Sequence, residues 1–202
     1  MMGNTKPRTD PRILRTRQLI RDAFVELLQE MDIEKISVNR IAERATINRV
    51  TFYLHYRDIP DMLEKMADDM VEDIKRIFNN SPAQQISPEE ERWPIMFNLL
   101  EYIAEHAKFY KVVLAARRTP IFTDRLLQLL TGLITERVEK SGSDPSVAGI
   151  QKDIAIWYAS SALIGTIISW LRNDMPYTPH FLTKQFFLLL SHTQIKSKRS
   201  SV

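Results

Sequence analysis

Residues Ser37 to Tyr56 read SVNRIAERATINRVTFYLHY, and the fold turns on whether this run makes two short helices with a corner between them. Ser37 suits the cap of a first helix, Val38 to Arg44, because its hydroxyl can accept from a backbone N–H left unpaired in the first turn. Ile41 and Ala42 give that helix a small inward face, and Ala45, Thr46 and Ile47 form the corner. Asn48 is a second cap, for a helix from Arg49 to His55 whose Val50 and Phe52 are expected to turn inward. A short helix, a tight turn and a second helix make the helix-turn-helix layout, in which the second helix can enter the DNA major groove.

The remaining side chains of the second helix fit that task. Arg49, Thr51, Tyr53 and His55 recur every two residues and so fan over a broad outer face. Each can donate a hydrogen bond to a phosphate or a base edge. Taken alone, the same pattern also fits a helical hairpin whose polar side simply faces water.

The longer run IAERATINRVTFYLHYRDIPDML resembles the DNA-binding signature of the TetR family of bacterial regulators. Ile41-Ala42, Ala45, Ile47, Thr51-Phe52-Tyr53 and His55-Tyr56 occupy the matching places over about the first quarter of the chain. Two positions depart from it. Thr46 stands where glycine is usual, so the corner either avoids positive φ there or carries strain. Ile59-Pro60 replaces the usual Lys-Glu, and Arg57 either takes over the phosphate contact of that lysine or leaves affinity lower.

The resemblance implies an all-α chain: a three-helix DNA-binding bundle with a basic arm over residues 1–57, and a larger helical effector-binding and dimerisation domain over 58–202. It also implies roles. Ser37 and Asn48 would hold phosphates. Asn39 would reach a base edge or a phosphate, Arg49 and Thr51 base edges, and Tyr53 and His55 backbone phosphates, while Tyr56 packs.

Composition agrees with this division. The 202 residues include 44% hydrophobic and 26% charged side chains, ordinary globular values, with five glycines and no cysteine. Disulfides and thiolate metal sites are thereby excluded. No apolar signal core follows the basic N-terminal residues, so a cytoplasmic protein is expected. Residues 1–57 hold eleven Lys/Arg against seven Asp/Glu, whereas 58–202 hold seventeen against eighteen. The positive excess therefore sits with the proposed DNA reader. Residues 1–11 read as a disordered arm, and Lys6, Arg8, Arg12, Arg15, Arg17 and Arg21 make it and the first helix basic.

Helical periodicity sets the rest of the layout. A first helix runs from Pro11 to Met31 with a packing stripe through Leu19/Ile20, Ala23/Phe24 and Leu27/Leu28. Asp58 caps a fourth helix, to about Phe78, lined by Leu63, Met66, Met70, Ile74 and Ile77. A loop follows, Asn79 to Gln85, and Ser87-Pro88-Glu89-Glu90 reads as the next start, with Pro94 kinking that helix or marking its true origin. Further helices are expected over Ala107–Ala116, from Pro120 to about Lys140, from Asp144-Pro145 through Leu171, and from Pro179 on, with Lys196 to Val202 frayed. Ile154 to Leu171 carries no charge, long enough to span a bilayer, but its three serines and amphipathic neighbours favour burial on two faces.

The last two long helices resemble the family's four-helix dimer interface, and Ile164, Ile168, Leu171, Phe186 and Leu190 are the expected contacts. An apolar or amphipathic effector would lie among Met66, Met70, Trp93, Met96, Phe97, Tyr102, Phe109, Tyr110, Phe122 and Trp157, with Asn98, His106 and Arg117 as polar groups. Aromatics and methionines at helical spacing are more often plain core than pocket lining. No cofactor is expected: the four histidines lack paired metal-ligand spacing, and there is no Gly-rich phosphate loop or nucleophile elbow. The functional expectation is a ligand-responsive regulator, a repressor that binds a palindromic operator as a homodimer. Its rival is a helical coactivator or adaptor of the same fold that acts through protein partners without reading DNA.

Overall fold

The computed structural model describes residues 10–80, 93–116, 119–141 and 150–199, and these are helical with no strand among them. Residues 1–9 of the arm expected over 1–11 and the Ser87–Glu90 and Asp144-Pro145 starts lie outside the described residues, whereas Asp10 and Pro11 form the start of the first helix. The chain divides into two compact units, ending and beginning at Met66 and Ala67.

The first unit opens on α1, Pro11–Glu30. Asp10 caps it by accepting from the Arg12 N–H at 2.9 Å, and Pro11 takes a first-turn place where no N–H is needed. Its inward stripe is Ile20, Ala23, Phe24, Leu27 and Leu28; Leu19, expected there, is exposed. A 3₁₀ turn, Ile33–Lys35, leads to α2, Val38–Arg44, where Ser37 Oγ accepts from the Arg40 N–H. Arg44 reaches back to α1, donating to both carboxylate oxygens of Glu30 at 2.8 and 2.7 Å.

α2 ends in a two-bond cap. The Ile47 N–H donates to the Ala42 carbonyl at 2.9 Å and the Thr46 N–H to Glu43 at 3.1 Å. That pattern requires a left-handed residue between them, and Thr46 takes it with φ 54°. The corner is strained rather than rerouted.

Asn48 then caps α3, Arg49–Tyr53, its Oδ1 accepting from the Val50 N–H at 2.8 Å. The helix is two residues shorter than expected. Phe52 and Tyr56 are buried with ring centroids 5.5 Å apart, and burial of a ring such as Phe52 is worth about 1.5–3 kcal/mol. Val50, expected to face inward, is 65% exposed. α4, Ile59–Asn80, starts in this unit under an Asp58 cap that accepts from the Asp61 N–H at 2.8 Å. Met62 and Met66, in the part of α4 that belongs to this unit, are buried.

The second unit takes the rest of α4, where Met70 and Ile74 are buried. α5, Trp93–Glu105, packs with α9, Pro179–Arg199, and α7, Pro120–Ser141, packs with α8, Lys152–Arg172. Gln151 is the N-cap of α8. The backbone of α9 stays helical through Lys196, where fraying was expected, to Arg199.

The helix expected over Ala107–Ala116 is α6, Ala107–Tyr110, running on as a π-helical segment, Lys111–Ala115. Wider π winding takes carbonyls out of the usual ladder. Side chains meet two of them: Thr119 Oγ1 donates to Val113 at 3.1 Å and Arg172 Nε to Ala115 at 2.9 Å. Lys111 also pairs with Asp174 just past α8. There Asp174 and Met175 both have positive φ, in a cap of the same two-bond type as the one after α2.

Candidate nucleic-acid interface

The expected reader residues lie in the first unit, on or next to α2 and α3. Ser37, Asn39, Asn48 and Arg49 are exposed. Thr51 and His55 are half-buried. Tyr53 is 44% exposed. Arg49 and Tyr53, one turn apart, hold each other: Nη2 donates to the Tyr53 Oη at 3.0 Å and the guanidinium lies 5.4 Å from the ring centre. A positive charge and a hydroxyl are thus presented together.

The far end of α3 is fixed by an ionic cluster. Asp61 accepts from the Arg57 N–H at 3.0 Å and from Lys65 Nζ at 2.9 Å, and Lys65 also donates to the His55 carbonyl at 3.2 Å. The Lys65 hydrogen bond, joined by that of the Arg57 N–H, holds the Asp61 carboxyl below the usual carboxylate range. The Arg57 guanidinium also pairs with Asp61, with Nε and Nη2 each 3.4 Å from Oδ1, yet the side chain stays 81% exposed just ahead of α4. Lys65 was not singled out in the sequence; its i,i+4 spacing from Asp61 was the available signal.

Burial pushes the His55 imidazole below its ordinary value of 6.5, and the Arg17 charge adds to this. Arg17, on α1, has a buried Nε without a hydrogen-bond partner.

Two positions alter the picture of α3. Val50 and Leu54, at 65% and 77% exposure, stand among the polar residues as large apolar groups in water.

The second unit holds the residues expected to form a pocket, except Met66, which belongs to the first. Tyr102, Tyr110, Phe109 and Phe122 come together edge to face, successive centroids 6.1, 5.3 and 5.8 Å apart. Tyr110, Phe122 and Met70 are fully buried, which is core packing. His106 stacks on Tyr102 at 4.2 Å and is exposed; Phe97 meets His180 at 6.3 Å. Trp157 was expected to line the pocket, but it is 59% exposed on α8 and faces solvent instead. Arg117 and the Trp93 side chain lie outside the described part. An open depression of about 420 Å³ is lined by Asp73, Arg76, Ile77, Asn98, Glu101, Tyr102 and Glu105, so of the expected groups it gathers only Asn98 and Tyr102.

The dimer contacts need a similar correction. Ile164 and Leu171 are buried within their own unit, at 6% and 2% exposure, because that side of α8 packs on α7 and the π segment. Ile168 and Phe186 are half-buried, and the Leu190 side chain is outside the described part. The exposed apolar face of α8 is instead Ile154, Trp157 and Tyr158; α9 exposes Phe181, Leu188 and Leu189. α8 is long and apolar enough to cross a bilayer, and a third of its most apolar window is buried in the protein.

The sequence profile of the tetR family of bacterial regulatory proteins matches residues 20–66, and that of a transcriptional regulator C-terminal region of the same family matches 91–192, half of the chain. The chain belongs to the TetR family. It is accordingly a transcriptional regulator of that family. The uncharacterized HTH-type transcriptional regulator YxbF of Bacillus subtilis (strain 168) is 24% identical over 173 residues, 85% of this chain. The chain spans 44% of that relative's length. Among solved structures, the fatty acid degradation regulator FadR of Bacillus halodurans superposes with TM-score 0.68 at 18% identity, covering 91% of this chain and 96% of FadR. A TetR regulator from Streptococcus agalactiae 2603V gives 0.65 at 23%, covering 89% and 96%. FadR from Bacillus subtilis, solved in complex with stearoyl-CoA, gives 0.63 at 21%, covering 86% and 96%. These likenesses establish the shared fold.

Proposed function

We propose that this TetR regulator binds a palindromic operator as a homodimer and acts as a repressor that a small effector releases. The observation that carries the reading is the edge around α3. It has two capped helix starts, a paired Arg49–Tyr53 and an exposed Arg57, in the stretch 1–57 that holds eleven Lys/Arg against seven Asp/Glu. In this reading Ser37, Asn48, Tyr53, His55 and Arg57 hold phosphates. Arg49 and Thr51 reach base edges, and Asn39 a base edge or a phosphate.

Dimerisation is supported by the exposed apolar faces of α8 and α9. Six large apolar side chains facing water are what a partner copy would cover. Two reader helices set about one turn of DNA apart recognise a palindrome far better than one. An apolar or amphipathic effector in the second unit is supported by the FadR likeness, since Bacillus subtilis FadR holds stearoyl-CoA. Effector binding would favour an arrangement that shifts α4, the helix common to both units, and so lowers operator affinity. A regulator of chromosomal DNA works in the cytoplasm.

The test is binding of the full chain to a duplex from its own upstream region by gel shift at rising salt. Steeply salt-dependent, saturable binding is expected. Absence of binding at low salt would favour the adaptor reading.

A further inference from the structure

The direction in which α3 presents its side chains carries more than the general reading of DNA. Phe52 points into the core with no exposed surface. At about 100° per residue, Val50 and Leu54 each lie about 160° round from Phe52, and only about 40° from each other. They form the ridge that projects directly away from the core, at 65% and 77% exposure. Arg49 and Tyr53, pinned to each other, lie along one flank of the ridge, and Thr51 along the other.

The outermost line of the reader helix is therefore apolar, and the hydrogen-bonding groups sit to its sides. In the major groove the thymine 5-methyl is the one apolar group among the base-edge features. A ridge of one β-branched and one leucine side chain satisfies no donor or acceptor there, and leaves base-edge polar atoms unpaired wherever it meets them. It gains where it meets methyls. The structure assigns Val50 and Leu54 as readers of thymine 5-methyl groups at the centre of each half-site, with Arg49 and Thr51 reading the pairs beside them. This inference rests on the reading of α3 as the DNA-facing helix and specifies which bases it selects. It also accounts for two large apolar groups held in water on the free protein, next to side chains whose partners are polar.

The experiment uses the full chain and a duplex it selects from a random pool. Each thymine is replaced in turn by deoxyuridine, which removes only the methyl, and affinity is read by fluorescence anisotropy. At one or two positions per half-site the wild-type protein should lose about four-fold, the worth of one buried methyl, about 0.8 kcal/mol. Val50→Ala or Leu54→Ala should bind the thymine and deoxyuridine forms of its own position within two-fold of each other. Both side chains are exposed, so the melting temperature of each variant should stay near that of the wild type, which separates lost reading from lost folding. A selected half-site without central thymines, a wild-type protein indifferent to every replacement, or an alanine variant that keeps the full penalty would each overturn the assignment. Binding of the unmodified duplex separates this failure from failure of the DNA reading itself, because a chain that selects no duplex removes both.

Discussion

Thr46 offers the sharpest perturbation of the helix-turn-helix corner. It is exposed, it holds φ 54°, and its N–H and that of Ile47 close the cap of α2. A side chain with a Cβ costs roughly 1–2 kcal/mol in the left-handed region, with a β-branched residue among the worst placed. Glycine relieves that cost but gives back about 0.5–1 kcal/mol through the freedom it adds to the unfolded chain. No packing is lost at an exposed site, so Thr46→Gly should stabilise by about 0.5–1 kcal/mol, a rise of about 1–4 °C in the melting temperature for a chain of this length. Thr46→Ala keeps the Cβ and should gain less. Circular-dichroism melts of the three proteins decide it. A Thr46→Gly protein that melts at or below the wild-type temperature would refute the claim that the corner stores backbone strain.

Further outcomes follow from the same geometry. Because His55 has a folded pKa below 6.5, the unfolded chain takes up more protons between the two values, so stability falls as pH drops below about 6.5. His55→Gln should flatten this decline, seen as a smaller loss of melting temperature between pH 7.5 and 5.5, and equal losses in both proteins would contradict it. Arg49→Ala should relax sequence preference, whereas Tyr53→Phe should weaken specific and random duplexes alike while unpinning Arg49; gel shifts on both duplexes separate the two. Tyr158→Glu places a charge on the exposed apolar face of α8 and should give a monomer in sedimentation velocity; an unchanged dimer would move the interface elsewhere.

The architecture was legible in the sequence wherever a local rule decides it. Ser37, Asn48 and Asp58 cap helices as their side-chain chemistry dictates, and Pro11, Pro60 and Pro179 sit in first turns. The misses are places where local rules are silent. In a helix of five residues no repeat establishes which way the core lies, so Val50 read as inward although Phe52 and Tyr56 together fix the opposite side. In α8, apolar all round, periodicity could not separate Ile164 and Leu171, which pack at home, from Trp157 and Tyr158, which do not. The π segment depends on Arg172, 57 residues away, reaching the Ala115 carbonyl, a contact that no window of sequence contains. At Thr46 the sequence posed the choice between rerouting and strain, and only coordinates could decide it.

In the proposed state two copies of α3 meet one stretch of duplex. Titrating the protein into a selected duplex held well above its dissociation constant counts the chains on each site. We expect the signal to break at two chains per duplex, with affinity that falls steeply as salt rises. A break at one chain per duplex, or binding indifferent to salt, would contradict it.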